Sequence, residues 1–348
     1  MLTFRKRRIF FWASVAVFII LTPVILLYAL GFRLTSNFQL EKTGGLYISS
    51  PISGSEIYID GELVKRTNLL QSGVFVEDLT PKDYHIIVAA NGYITWSKRL
   101  RVNSQYVTEA KALLIPSGIN ASIALKTTFK DLKYSPFDPM FILVENKKNK
   151  NVLSWYYPEI NQFFSSSSGA ELSYKNSFEI FSWQRGGVIL KLDSVLFRIV
   201  FNFSEGTVSS NKITQSEADK LIDKPYNQYS ITDSRNVIHA DYDKNKKELT
   251  VRWSGDTIPP YYLSKSPETV LLDKNIRSFS FYPSRRDVLI ASIDNGVWAV
   301  ELDGRSERNV YLIYKGKNPD FGIVPGNAGE IYILDGGLLI QLSLFAKE

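Results

Sequence analysis

The first pattern along the chain is a single apolar run, from Ile9 to Leu30, that ends shortly before Arg33. No charged residue interrupts it. At ~1.5 Å of rise per residue, a helix of this length spans roughly 33 Å, enough to cross a hydrocarbon core of about 30 Å. The pattern predicts a transmembrane helix over residues 9–31, preceded by a basic stub at residues 1–8.

The charges beside this run predict its orientation. The basic cluster Arg5–Arg8 lies wholly on the N-terminal side, so the positive-inside rule places Met1 in the cytoplasm and the bulk of the chain outside. We therefore expect an uncleaved signal anchor and a single-pass membrane protein. A cleaved signal peptide is the alternative, because Ala29 and Gly31 form a small-x-small pair. Its apolar region is usually only about 7–15 residues long, which favours the anchor.

After the apolar run, short alternating strand-like segments replace any helical period, and turn residues separate them. The region is predicted to be all-β. Asp60-Gly61 follows one strand and is a strong signal for a tight hairpin. Gly61 and Gly92 suit positions where a side chain would clash, and Asp60 and Asn91 tolerate left-handed backbone conformations. These four residues are predicted to specify turns rather than chemistry.

The segment from residue 43 to 115 resembles the PEGA domain, a small β-sandwich-like module of bacterial and archaeal envelope proteins. The residues that carry the resemblance are Pro51, Gly54, Ile57-Tyr58-Ile59-Asp60-Gly61, Leu79, Pro81, Tyr84 and Asn91-Gly92-Tyr93. The sequence departs from the family at Pro51 to Ser55 and at Lys65 to Asn68. The resemblance implies a small antiparallel β-sandwich over residues 43–115. Pro116-Ser117-Gly118 punctuates the chain and marks the boundary of this module.

Residues 119–348 contain a loose internal repeat, an aromatic, serine or proline element followed by two or three strands. The element recurs at Tyr134-Ser135-Pro136, Phe181-Ser182-Trp183, Tyr229-Ser230-Ile231 and Phe281-Tyr282-Pro283, and faintly at Phe321. Repeats of this kind are typical of propeller blades. The unit from Phe281 to Arg305 resembles a blade of the TolB or WD40-like superfamily. We expect a β-propeller-like domain of four to five blades; a curved open array or a plain sandwich is the alternative.

The amino-acid composition excludes several classes of catalytic and metal-binding site. The chain has no cysteine and only two histidines, His85 and His239, which excludes thiol nucleophiles and Cys-based metal sites. The spacing Asp241, Asp243, Asn245 begins like a calcium loop, but lysine and arginine occupy the later glycine and glutamate positions. A polar hairpin tip is the better interpretation. We predict no catalytic residue, no cofactor and no metal, and interpret the protein as a non-enzyme.

The aromatic residues offer one functional hypothesis. Trp155, Trp253 and Tyr262 are candidate ligand-binding aromatics if they cluster on one rim of the domain; cross-strand packing is the alternative. Most of the formal net charge of +6 belongs to the basic flank of the span, so nothing indicates a nucleic-acid partner.

Together these patterns predict a non-catalytic, membrane-anchored binding or scaffold protein of the cell envelope. Its partner is expected to be a surface polysaccharide or another envelope protein. The alternatives are a surface glycan hydrolase with a propeller-type catalytic head, whose carboxylate pair would be dispersed in sequence, and an assembly subunit of a membrane complex.

Overall fold

The computed structural model describes residues 4–34, 39–118, 120–126, 128–222 and 225–346. Within it the chain forms two compact units. The first unit comprises residues up to Leu114, grouped with Arg305–Glu307. The second comprises Ile115–Gly304 and Arg308–Glu348.

The first unit begins with helix α1, Phe4–Ala29, which contains Pro23. An 18-residue window within its segment Lys6–Ala29 has a mean hydropathy of 2.6 and no buried residue. By length and composition this helix can cross a membrane. A two-stranded hairpin follows, with strands β1 (Phe32–Leu34) and β2 (Leu40–Lys42).

Arg33 joins the end of the helix to the domain that follows. Its guanidinium donates to the Tyr28 carbonyl at 2.8 Å and forms an ion pair with Asp78 at 2.6 Å. The Thr43 hydroxyl donates to the Gly31 carbonyl at 3.0 Å. Because these contacts link residues on both sides of the hairpin, the helix end is held against the first strands of the domain.

Seven strands build the rest of the first unit. They are β3 (Gly44–Ser49), β4 (Glu56–Ile59), β5 (Glu62–Arg66), β6 (Gly73–Leu79), β7 (Asp83–Ala89), β8 (Trp96–Arg101) and β9 (Val107–Lys111). They form two sheets with the strand orders β6-β3-β9 and β5-β4-β7-β8. Buried and more exposed residues alternate along β4, β7 and β8, as expected of strands that bury one face. The buried side chains, among them Ile48, Ile86 and Trp96, form the core of a small β-sandwich.

One strand pair of this sandwich is parallel. β3 and β9 run side by side from Gly45 and Val107 to Ser49 and Lys111, whereas the other pairs are antiparallel. The first and last strands of the sandwich therefore point the same way. At ~3.3 Å per residue, the chain enters at one end of this pair and leaves roughly 15 Å away, at the other.

The β4–β5 hairpin shows why the turn residues are required. Asp60 and Gly61 have φ values of 50° and 89°. A Cβ added to Gly61 would meet no atom within 4 Å, so the expected clash is absent and the positive φ alone favours glycine. Gly92 also has a positive φ, of 78°, whereas Asn91 is not among the positive-φ residues of the described chain.

The second unit contains twenty-one strands and a short helix, α2. The first eleven strands and the helix are β10 (Ala121–Lys126), β11 (Phe129–Tyr134), β12 (Phe141–Lys147), β13 (Lys150–Tyr157), β14 (Gln162–Ser166), β15 (Ser173–Tyr174), β16 (Phe178–Gln184), β17 (Gly187–Leu192), β18 (Val195–Asn202), β19 (Thr207–Ile213), α2 (Gln215–Leu221) and β20 (Ser230–Thr232). The remaining strands are β21 (Ile238–Asp243), β22 (Glu248–Trp253), β23 (Glu268–Leu271), β24 (Ile276–Phe281), β25 (Val288–Ile293), β26 (Gly296–Glu301), β27 (Val310–Lys315), β28 (Asp320–Gly322), β29 (Glu330–Asp335) and β30 (Leu338–Ser343).

Twenty of the twenty-one strands found among the described residues of this unit form five antiparallel blades of four strands each. β15 pairs with β13 outside this count, and a parallel pair of β14 with β19 joins blades 1 and 2. Blades 1 to 4 are β11–β14, β16–β19, β20–β23 and β24–β27. Blade 5 contains β28, β29 and β30 and is completed by β10, the first strand of the unit. Because the first and last strands of the unit share one blade, the array closes as propellers do. The predicted propeller-like fold is confirmed, and the repeat elements noted in the sequence mark the first strand of every blade.

Neighbouring blades pack through large hydrophobic clusters. One cluster joins blades 1 and 2 and includes Ile142 and Trp183. A second joins blades 3 and 4, and a third joins blades 1 and 5. Between blades 2 and 3 lies α2, which begins with a capping box between Thr214 and Glu217 and buries Ala218 against blade 2. Sequence periodicity gave no sign of this helix, which is only seven residues long.

Candidate functional site

A cavity of about 610 Å³ lies in the second unit, where the first strands of blades 1 and 2 begin. Its volume falls in the range of small-molecule sites, about 300–1,000 Å³. The residues that line this channel cavity are Lys130, Asp131, Lys133, Asn151, Tyr174, Asn176, Phe178, Glu179, Ile180 and the segment Tyr226–Tyr229. β28, the first strand of blade 5, contacts the first strands of blades 1 and 4, and the first strand of blade 1 lines the cavity.

A β-bulge positions the blade 1 residues. The register between β11 and β12 shifts between Phe129 and Asp131, and such bulges re-aim the side chains that follow them. Leu132 is then 2% exposed and belongs to the core between blades 1 and 5. Asp131 and Lys133, on either side of it, line the cavity. Strand alternation thus separates a core leucine from an ion pair at the site.

Lys133 is the central cation of the site. Its ammonium lies 3.0 Å from a carboxylate oxygen of Asp131. Burial acts to lower the pKa of Lys133, but the carboxylates of Asp131 and Asp320 outweigh this effect, and the pKa lies above its ordinary value. Lys133 is therefore a protonated hydrogen-bond donor at neutral pH.

Tyr226 and Trp183 form a second group of donors. Burial raises the pKa of Tyr226, against the smaller lowering effects of Lys133 and the Trp183 side chain, so its hydroxyl stays protonated at neutral pH. Trp183 is 6% exposed, and its indole nitrogen has no hydrogen-bond partner of normal geometry among the described residues. Trp183 does not line the cavity, and its side chain acts on the site through the Tyr226 hydroxyl, whose pKa it lowers.

The outer wall of the cavity combines an amide with aromatic rings. Lys130 donates to the Asn151 side-chain oxygen at 2.6 Å. Tyr174 and Phe178 stack with their ring centroids 5.6 Å apart, and burial raises the pKa of Tyr174. The wall therefore offers apolar ring surface beside hydrogen-bonding groups that are already fixed in position.

A polar network continues towards blades 4 and 5. A carboxylate oxygen of Asp320 accepts hydrogen bonds from the hydroxyls of Ser278 and Ser292 and from the Phe321 backbone. Arg277 donates to the Pro319 carbonyl at 2.6 Å. These contacts hold Asp320 in place as a fixed negative charge that acts on Lys133 and Tyr226.

The aromatic residues proposed from the sequence lie elsewhere. Trp155 is 5% exposed and packs against Phe201 with the ring centroids 5.7 Å apart, so it has almost no surface for a ligand. Trp253 donates to the Thr257 carbonyl at 3.1 Å, and Tyr262 packs beside Tyr261. Trp253 and Tyr262 both cover the core between blades 3 and 4, whereas Trp155 belongs to the core between blades 1 and 2. The structure does not bring the three together, and none of them lines the channel cavity.

The two histidines and the acidic hairpin have ordinary structural partners. His85 and His239 each bond a serine hydroxyl, Ser97 and Ser254, at 2.8 Å. Asp243 accepts two backbone N–H groups of its own hairpin tip, as a turn residue does. Among the described residues, no group of three or more histidine and acidic side chains is arranged to hold a metal ion.

The residues of the channel cavity were missed because no single segment contains them. A signal exists in hindsight. Lys133, Ile180 and Gln228 come directly before the repeat elements that begin at Tyr134, Phe181 and Tyr229. The element marks the first strand of each blade, so the residues just upstream of it in consecutive repeats lie on the same face near the axis.

Comparison with known proteins identifies one domain. Residues 43–117 match the PEGA domain family. No curated protein matches the chain.

Several solved structures share similarity with the chain. A luciferin-regenerating enzyme is 9% identical with a TM-score of 0.40, over 66% of this chain and 98% of its own. Kluyveromyces lactis Hsv2 is 10% identical with a TM-score of 0.31, over 84% of this chain and 90% of its own. The Dos1 propeller is 12% identical with a TM-score of 0.25, over 91% and 82%. At TM-scores below 0.5 these similarities assign no function.

The blade topology and the family match together define the order of the parts along the chain. The chain carries a PEGA domain at residues 43–117, between an N-terminal helix long and apolar enough to span a membrane and a five-bladed propeller-like unit.

Proposed function

We propose that this protein is a non-catalytic, membrane-anchored binding protein of the cell envelope, and that the channel cavity binds a polysaccharide. The observation that carries the proposal is the composition of the cavity wall, in which aromatic rings alternate with amides and hydroxyls. Sugars present apolar C–H faces and a dense set of hydroxyls. A wall of tyrosine, phenylalanine, asparagine and glutamine complements both.

The charges of the cavity favour an uncharged ligand. Two lysines, Lys130 and Lys133, face two carboxylates, Asp131 and Glu179, in its lining. Lys133 is paired with Asp131, and Lys130 with the Asn151 amide. Since both cations already have protein partners, an anionic ligand would have to compete with them. A neutral ligand leaves these pairs intact.

The membrane anchor and the PEGA domain supply the location. The basic cluster Arg5–Arg8 precedes the helix, and the positive-inside rule then puts the sandwich and the second unit outside the cytoplasm. The parallel pair β3 and β9 passes the chain from one end of the sandwich to the other. This arrangement suits a spacer between a membrane and a binding unit.

The carboxyl groups support binding rather than hydrolysis. A glycosidase needs one carboxylic acid with a raised pKa beside a second carboxylate. Among the described residues, the carboxyl groups with a displaced pKa, such as Asp60 and Asp233, are all displaced downward, by hydrogen bonds and nearby cations. Asp131, in the cavity, is neutralised by Lys133. None of the six displaced groups has the raised pKa that a general acid needs.

The test measures retention of the full chain, held in lipid nanodiscs, on immobilised envelope polysaccharide. Tyr226→Ala should weaken retention at least ten-fold, about 1.4 kcal/mol. Tyr106→Ala is the matched control, since Tyr106 is 71% exposed and lies outside the cavity. Trp253→Ala and Tyr262→Ala test the rim hypothesis in the same assay.

Two results would overturn the proposal. One is unchanged retention of a folded Tyr226→Ala variant. The other is release of soluble sugars by the wild type, lost when Asp131 or Glu179 is replaced, which would favour the hydrolase.

A further inference from the structure

A second cavity adjoins the first. It has a volume of about 300 Å³ and lies over blade 3. Asn227 and Tyr229 line both cavities. The two volumes are therefore neighbours, separated only by this short segment.

The segment between the cavities is firmly held. The Asn227 side chain accepts the Tyr229 backbone N–H at 2.9 Å, and the Asn227 carbonyl accepts the N–H of Ser230 at 3.1 Å. The Lys244 ammonium lies 4.3 Å from the centre of the Tyr229 ring, and the ring of Tyr242 lies 6.2 Å away, centre to centre. Tyr229 thus forms a fixed aromatic ridge between the cavities rather than a mobile flap.

We propose that the ligand is an uncharged polysaccharide chain that occupies both cavities at once and crosses the Tyr229 ridge. This inference rests on the proposed function and adds the shape and charge of the ligand. A single terminal sugar would fill only one of the two cavities. An internal stretch of a chain uses both and covers the ring between them.

The lining of the second cavity disfavours anionic chains. Its lining includes Asp241, Asp243 and Glu248 but only one cation, Lys246. The channel cavity contributes two cations and two carboxylates. Asp241 is paired with Arg252 at 3.5 Å, whereas Asp243 and Glu248 accept hydrogen bonds from backbone N–H groups and a threonine hydroxyl. A uronate or phosphodiester polymer would meet these two carboxylates at the second cavity.

The experiment titrates the full chain in lipid nanodiscs with length series of neutral oligosaccharides. The probes are N-acetylglucosamine and glucose oligomers of one to six units, with galacturonate oligomers as the anionic series. For the neutral series that binds, affinity should rise at least ten-fold between the monomer and the length that reaches the second cavity. Galacturonate oligomers of equal length should bind at least ten-fold more weakly.

A variant separates the two cavities. Thr250 lines the second cavity only, so Thr250→Trp should fill it, remove the length dependence and leave monomer affinity unchanged. Asn211→Trp is the control, because Asn211 is an exposed residue of β19 in blade 2 and lines neither cavity. If Thr250→Trp does not fold, the oligosaccharide length series measured on the wild type still tests whether one chain occupies both cavities.

The outcomes distinguish the two proposals. Monomer and hexamer affinities that are equal would overturn occupancy of both cavities and leave the glycan site standing. Tighter binding of galacturonate oligomers would overturn the uncharged ligand. Failure of both neutral series would overturn the glycan ligand itself, and this inference with it.

Discussion

The two units use their strands in opposite ways. In the first unit, β7 alternates along its length between buried and more exposed residues, because each sheet of a sandwich has one face in the core. In the second unit, the first four residues of β12 are all buried. Phe141 and Leu143 enter the core shared with blade 5, while Ile142 and Val144 enter the core shared with blade 2. A propeller strand therefore serves two cores at once.

This difference decides where each unit can carry a site. A two-layer sandwich buries its inner faces in one core, and its outer faces remain flat. Blades that converge on an axis bring the beginnings of several strands together, and the channel cavity forms there from blades 1 and 2 and the segment entering blade 3. Under the proposed function, the first unit is the spacer and the second is the binding unit.

The largest expected effect concerns topology, which both units share. The sandwich of the first unit and the whole second unit follow α1 in the chain, so a reporter that is active only outside the cytoplasm should be active when fused after Glu348. Reversing the charges of Arg5–Arg8 should abolish most of this activity, because those charges set the orientation. Activity of a cytoplasm-specific reporter at the same position would contradict the orientation.

Replacing a leucine by alanine should reduce the folding stability of the two units by different amounts at the two positions compared. Leu143→Ala should destabilise the second unit by about 2–5 kcal/mol, because Leu143 is fully buried between blades 1 and 5. The same substitution at Leu63, which is 49% exposed on the edge strand β5, should cost the first unit less than about 1 kcal/mol. Denaturant unfolding of each variant measures the change. Equal losses at the two positions would contradict the contrast.

The stability of the β4–β5 turn in the first unit should depend on backbone conformation rather than on side-chain packing. Gly61→Val should destabilise it by about 1–2 kcal/mol, since Gly61 has a φ of 89° and a branched residue disfavours that region. Gly118→Val is the control, because this glycine also has open space around it but no positive φ. Thermal unfolding of both variants checks the difference. A neutral Gly61→Val would show that the hairpin does not need a left-handed residue.

The sequence allowed much of this to be predicted, and the limits have physical causes. Strand positions and the five repeat elements follow from local alternation and turn chemistry, which nearby residues determine. Blade closure by β10 does not, because β10 pairs with β30 across almost the whole unit and carries no repeat element. The residues of the channel cavity could not be predicted from the sequence for the same reason. Trp155 looked available as an aromatic residue, yet the blade 2 core covers it, and the cavity residues come from segments as far apart as Lys130 and Tyr229.

The smallest expected effect is a difference in pH dependence between the units. In the first unit, the carboxylate of Asp60 accepts the His85 backbone N–H and pairs with Lys82, each at 2.9 Å, and these contacts lower the pKa of Asp60. A lowered carboxyl pKa stabilises the fold above the pKa of the unfolded chain. That contribution is lost as the pH falls through the folded value, so it disappears on the acid side, below about pH 4.

In the second unit, the raised pKa of Lys133 has the opposite sign. Its contribution is complete below the unfolded lysine value, about pH 10.4, and is lost as the pH rises through the folded value. Asp60→Asn should therefore reduce the acid sensitivity of the first unit, by less than about 1 kcal/mol because the side chain is 40% exposed. Lys133→Met should instead reduce the alkaline sensitivity of the second. Unfolding midpoints between pH 3 and 11 measure both, and an alkaline sensitivity that Lys133→Met leaves unchanged would contradict the assignment.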